Sequence, residues 1–134
     1  MSKRKTIITN VLLVIVILSV WFILPRKAAP IDIPPIDDTI SIEVIKIGGG
    51  KADILDMNQI ETVMNHLISA EPTRTRAVND QPTNVEAFGT ININTGDVVW
   101  VLYYYEKNGK HYIEQPYRGV YELKESFEKH LPTE

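Results

Sequence analysis

VEAFGTININTGDVVWVLYYYEKNGKHYIEQ, residues 85–115, decides the fold. It reads as three β-strands joined by two tight turns. Asn108-Gly109, between Lys107 and Lys110, is a strong hairpin signal, because a type I′ turn needs φ > 0 at both central residues. Thr95-Gly96 closes the hairpin before it. The middle strand, VVWVLYYY at residues 98–105, is the most hydrophobic and aromatic segment after the N-terminus.

Two-residue loops at both turns set a register. Tyr105 then faces Tyr112, Tyr104 faces Ile113 and Tyr103 faces Glu114; Ile93 faces Val98, Ile91 faces Trp100 and Gly89 faces Leu102. Opposed residues share a face, and a one-residue slip would exchange the faces. One face carries Val85, Ala87, Ile91, Ile93, Val98, Trp100, Leu102, Tyr104 and Ile113. The other carries Phe88, Thr90, Asn92, Val99, Val101, Tyr103, Tyr105, Tyr112 and Glu114. The first is the better core, and the second is rich in tyrosine.

Upstream, residues 40–47 (ISIEVIKI) alternate and read as a strand, turned by Gly48-Gly49-Gly50 into a short return over residues 51–55. The run GGGK lacks the GxxxxGK[ST] spacing of a phosphate loop and is read as a glycine turn. Residues 56–69 form an amphipathic helix. Asp56 is its cap, Gln59 stands three residues on, and Ile60, Val63, Met64, Leu67 and Ile68 make one stripe. That stripe is expected on the Trp100 face. Pro72 ends the helix, and residues 72–84 form a long loop. Downstream, residues 120–131 read as a second helix, with Leu123, Phe127 and Leu131 at i, i+4, i+8. The expectation is one α+β domain: a hairpin, a three-stranded antiparallel meander and two helices.

The N-terminus is different in kind. Residues 1–6 are short and basic. Residues 7–24 (IITNVLLVIVILSVWFIL) carry no charge, and as a helix they would measure roughly 27 Å, the thickness of a bilayer core. A single transmembrane anchor over residues 7–25 is expected. Three basic residues before it and two after it favour a cytoplasmic N-terminus and an outer C-terminal domain. The alternative is a cleaved signal peptide, but cleavage beside Ala28-Ala29 would put Arg26 or Lys27 at the −3 position. Residues 26–39, with three prolines and three aspartates, read as an extended spacer that lifts the domain, residues 40–134, off the membrane.

From Ala28 onward there are 9 Lys and Arg against 17 Asp and Glu, a net of −8. Such a body is repelled by phosphate backbones, which argues against nucleic acid as a partner. The chain has no cysteine, so disulfides, thiolate zinc sites and cysteine nucleophiles are excluded. His66, His111 and His130 show no metal-ligand spacing, and no nucleophile–base grouping is visible. No catalytic residue, metal or cofactor is therefore expected. Two groups of binding residues stand out. Tyr103, Tyr105 and Tyr112 form an aromatic face suited to a protein or glycan, unless the last helix covers it. Arg74, Arg76 and Arg118 lie in two irregular segments; converging, they would bind a carboxylate or other anion, and otherwise they hold the loops through ion pairs.

Several segments together, PTR-x-x-AVND-x-PTNV at residues 72–85, YEKNGKHYIEQPYRGVYEL at residues 105–123 and the preceding helix, resemble a small bacterial family, domain of unknown function 5301. Its members are found mainly in Gram-positive bacteria behind a signal or membrane anchor. The resemblance spans about residues 40–131. It implies an extracytoplasmic α+β domain and carries no activity or ligand. The expected function is a membrane-anchored, non-enzymatic module that binds a protein or another envelope component. The alternative is a small regulator or inhibitor of a membrane or envelope protein. An envelope enzyme would need Arg74, Arg76 and Arg118 to line a concave pocket with a carboxylate or histidine.

Overall fold

The computed structural model of the protein describes residues 2–24 and 26–133; Met1, Pro25 and Glu134, at the bounds of expected segments, lie outside the described residues. The elements are helix α1 (Lys3–Ile23), strands β1 (Ser41–Ile45) and β2 (Lys51–Ile54), helix α2 (Met57–Ile68), and strands β3 (Glu71–Pro72), β4 (Gly89–Asn94), β5 (Val99–Lys107), β6 (Lys110–Gln115) and β7 (Gly119–Leu123), with single 3-10 turns at Ile36–Asp38 and Phe127–His130. The α+β reading holds. Hairpin and meander are one antiparallel sheet in the order β2-β1-β4-β5-β6-β7-β3, because β1 pairs with β4.

The Asn108-Gly109 turn has the geometry its sequence demands, with φ of 53° and 75°, and Tyr105↔Tyr112, Tyr104↔Ile113 and Tyr103↔Glu114 pair as expected. The β4–β5 register is displaced by two residues. Ile93 faces Trp100, Ile91 faces Leu102 and Gly89 faces Tyr104. The side chain of Asn94 causes this, since its Oδ1 accepts from the Gly96 N–H at 2.8 Å and Thr95 N–H donates to Val98 O at 3.1 Å. The loop thus takes four residues. A shift of two leaves each side chain on its expected face. Residues 85–88, expected to extend β4, lie outside it, and Val85 packs on the tyrosine side instead.

Helix α2 begins where expected, with Asp56 accepting from Gln59 N–H at 3.1 Å. Its buried residues Ile60, Val63, Met64 and Leu67 lie on Ile42, Val44, Ile91, Ile93, Leu102 and Ile113, and Trp100 is half-buried at the margin of this core. Burial of such side chains, each contributing about 1.5–3 kcal/mol, is the main force holding helix to sheet.

Two expectations are corrected. The helix over residues 120–131 is replaced by strand β7 followed by the 3-10 turn. Val120 and Tyr121 favour an extended chain, and β6 offers an open edge whose backbone groups they satisfy. Residues 124–131, the eight of the expected span that follow Leu123, are too few for a stable helix without strong packing. Leu123, Phe127 and Leu131 join the α2-side core, so the C-terminal segment does not cover the tyrosine face.

The Pro/Asp segment is extended, as its composition requires, but it is bound to the domain. Ala28 N–H donates to Thr73 O at 2.9 Å, and Tyr121 OH donates to Ala29 O at 2.6 Å. Gln115 donates to Asp32 O at 2.6 Å and accepts from Asp32 N–H at 2.9 Å. Ala28, Ile31, Ile33 and Ile36 pack against the core. The apolar residues set between the prolines make this strip part of the domain and not a free spacer. Helix α1 buries none of its residues and is long and apolar enough to cross a membrane.

Candidate functional site

Residues 73–88, the long loop, lie across the tyrosine face of β5, β6 and β7. Four sets of contacts fix the loop. Thr73 donates through N–H and Oγ1 to Val120 O, at 3.0 and 2.8 Å, and its Oγ1 accepts from Thr75 N–H at 3.2 Å. Ala77 is buried against Tyr105 and Val120. Tyr117 OH donates to the carboxylate of Asp80. Val85 and Phe88 close the far end, with the Phe88 ring edge-on to Tyr103 at 5.3 Å. Asn84, at φ 59°, supplies the left-handed bend that asparagine tolerates better than most residues.

Beneath this loop lies a cleft of about 340 Å³ whose polar wall includes Arg76, Asn79, Asn84 and Glu114, with Tyr105 and Tyr112 as its aromatic wall. The two rings stand 5.7 Å apart. Tyr105 OH donates to a Glu114 oxygen at 3.0 Å. Burial raises the Glu114 pKa above the usual carboxylate range, opposed by that hydrogen bond, and burial beside Glu114 pushes the Tyr105 phenol up as well. The cleft therefore offers a poorly solvated carboxyl, a guanidinium, side-chain amides and two aromatic rings. Chemically, that set can pair directed hydrogen bonds with contact against an aromatic wall. Among the described residues that line it, Glu114 is the carboxylate.

The residues singled out in the sequence divide between two places. Tyr103 and Tyr105 are buried, under Phe88 and the loop, and Tyr112 is half-buried. Tyr105, Tyr112 and Arg76 meet in the cleft. Arg74 and Arg118 do not line it. Arg118 Nε donates to Pro30 O at 2.8 Å, and Arg74 follows the Thr73 bonded to Ala28. The three arginines therefore do not converge. Glu114 had no place among the expected site residues. Its position on the tyrosine face was the available signal. At the other end of that face Val99 and Val101 remain exposed.

Other concave regions are present among the described residues, one of them, of about 610 Å³, beside the cleft and lined by Glu86, Glu106 and Lys107. A groove of about 810 Å³ runs between the proline-rich strip and α2, walled by Ile31, Ile33, Ile36, Met57 and Ile68. Behind the C-terminal turn, the His66 and His130 rings stack at 3.7 Å between centroids, and Tyr104 OH donates to Glu128 at 2.6 Å. Among the described residues no three His, Cys, Asp or Glu side chains are grouped to hold a metal ion.

A family model described as "Domain of unknown function (DUF5300)" matches residues 27–122 of the chain, which includes the bound proline-rich strip. A solved structure, "NMR structure of the protein from Ruminococcus gnavus", is 29% identical with a TM-score of 0.68, covering 77% of this chain and 100% of that one. No curated protein matches the chain.

Proposed function

The chain belongs to the DUF5301 family of domains of unknown function, which brings no activity with it, and we propose from its own geometry that it is a membrane-anchored binding module without enzymatic activity. In this reading α1 spans the cytoplasmic membrane, the N-terminus is cytoplasmic, and the domain stands outside. A peptide or glycan segment of an envelope component enters the cleft between the long loop and the β5–β6 hairpin. The observation that carries the reading is the meeting of Tyr105, Tyr112, Glu114 and Arg76 in one cleft, beneath a loop pinned at both ends. Two aromatic rings beside hydrogen-bonding side chains in one cleft suit recognition, which is what the reading assigns to it.

The test is capture from detergent-solubilised envelope by the full chain, compared with Tyr112→Ser and Arg76→Gln, both at positions that are not fully buried. Capture that both substitutions abolish while circular dichroism is unchanged supports the cleft. Capture indifferent to both refutes it.

The alternative, a regulator or inhibitor of a membrane neighbour, is favoured by the docked strip. Only residues 24–27 separate the end of α1 from the first domain-bonded residue, Ala28. Replacing residues 7–24 by an unrelated membrane helix should abolish regulation but leave cleft binding intact.

A further inference from the structure

The basic side chains near the anchor collect at one corner of an otherwise acidic domain. Ala28 is bonded to Thr73, Thr73 is bonded to Val120, and Gly119 lies against Ala28, so residues 26–30, the loop start after β3, and the β6–β7 turn meet there. This brings Arg26, Lys27, Arg74 and Arg118 to the same end of the sheet, while the domain as a whole carries a net −8 from Ala28 onward. Tyr117, at the tip of the turn, has φ 60° and is 69% exposed. Asp32, Asp80 and Glu71, two residues before Thr73, are acids near the corner. Asp32 is engaged through its backbone by Gln115, and Asp80 accepts from Tyr117 OH.

We propose that this corner docks on anionic lipid headgroups of the outer leaflet in which α1 is embedded. The inference rests on the membrane-anchor reading above. The tether restricts where the corner can be. The four residues 24–27 put at most about 18 Å between the end of α1 and Ala28 when fully extended. The headgroup zone is itself several Å deep, so Ala28 sits at or just above it. The face nearest the lipid is thus the basic one, and the acidic remainder of the domain is directed outward. Arg118 keeps its Nε bond to Pro30 O, so the basic side chains act on the surface as held positive charges, and a tyrosine ring is suited to the headgroup level. Each basic side chain held at such a surface adds to the attraction, which salt screens within a Debye length.

The chain has no cysteine, so single labels can be introduced cleanly. Gln81→Cys lies beside Asp80 near the corner, and Lys110→Cys lies on the hairpin at the opposite end of the sheet. The full chain is reconstituted in vesicles with a nitroxide-headgroup lipid, and quenching of a fluorophore at each position is compared. In vesicles with about 30% phosphatidylglycerol at low salt, quenching at position 81 should exceed that at 110 by about twofold or more. The difference should shrink in about 0.5 M salt and in pure phosphatidylcholine. Arg74→Gln with Arg118→Gln should reduce it likewise, whereas the corresponding lysine substitutions retain it. Equal quenching at both positions in anionic vesicles overturns the docking. A difference that ignores lipid charge and salt also overturns it, leaving tether length as the sole cause. Release of the protein by carbonate washing overturns the anchor reading itself, and retention together with equal quenching overturns the docking alone.

Discussion

Gly89→Ala should destabilise the domain out of proportion to one methyl group. Gly89 faces Tyr104 across β4 and β5, and a Cβ built there falls within the Tyr104 ring. The backbone itself would accept alanine, since Gly89 is not in the left-handed region. Tyr104 is 3% exposed, lies 4.9 Å from the Phe127 ring, and donates its hydroxyl to Glu128. To admit the methyl, the ring must leave this position. Overpacking costs about 1–3 kcal/mol, and a lost hydrogen bond to a charged group about 1.5–3 kcal/mol. The entropy lost by the unfolded chain on Gly→Ala offsets about 0.4–1 kcal/mol. The net is a loss of about 2–5 kcal/mol, a large part of the roughly 5–15 kcal/mol that holds a typical domain together. Urea titration followed by Trp100 fluorescence measures it. The Tyr104→Ala background provides the control, because with the ring removed Gly89→Ala should cost less than about 0.5 kcal/mol. A wild-type midpoint for the single variant, or the same cost in both backgrounds, would refute the steric argument.

Further outcomes follow from other contacts. Tyr121→Phe removes the hydroxyl that holds Ala29 O, so it should cost about 1 kcal/mol and make the chain near Lys27 faster to cut with trypsin; an unchanged cutting rate would contradict the docked strip. Phe127→Ala empties a fully buried site under α2 and should cost about 3–5 kcal/mol in thermal or urea unfolding. Burial raises the Glu114 pKa in the fold above its unfolded value of 4.5. Its favourable contribution is therefore present below pH 4.5 and lost as pH rises through the folded value. Glu114→Gln should be more stable than wild type at pH 7, with the difference closing near pH 4 in paired urea titrations. Burial and the facing His130 lower the His66 pKa below 6.5, against an opposing pull from Glu125. The unfolded chain then takes up protons first, so stability is full above pH 6.5 and falls as pH drops below it. His66→Leu should flatten the unfolding midpoint between pH 5 and 7 relative to wild type.

The local rules carried much of the architecture. Asn108-Gly109, the Asp56 cap and the α2 stripe each need only a few neighbouring residues, and each formed as their chemistry requires. The β4–β5 register was less legible, because a two-residue and a four-residue loop around Thr95-Gly96 leave identical faces. Only the Asn94 side-chain bond separates them. Strand β7 was hidden by coincidence: Leu123, Phe127 and Leu131 have helical spacing but reach the same core from a strand, a turn and a tail. The pairing of β1 with β4 joins residues about fifty positions apart, and no local pattern encodes it. Ile31, Ile33 and Ile36 did carry a signal for the docked strip, outweighed in composition by the prolines and aspartates around them. For the site, the pattern placed Tyr105, Tyr112 and Glu114 on one face. What it could not supply was the cover, since Ala77 and Val85 lie in a loop whose path depends on Thr73 meeting β7.

A photo-crosslinker tests binding in the cleft most directly. A benzophenone side chain introduced at Tyr112, inside the cleft, is compared with one at Val101, on the open end of the same sheet face, in cells producing the full chain. A discrete covalent adduct is expected from position 112, lost when Arg76→Gln is added, and none from position 101. An adduct from position 101 alone would contradict binding in the cleft and transfer recognition to the exposed valine end of the sheet.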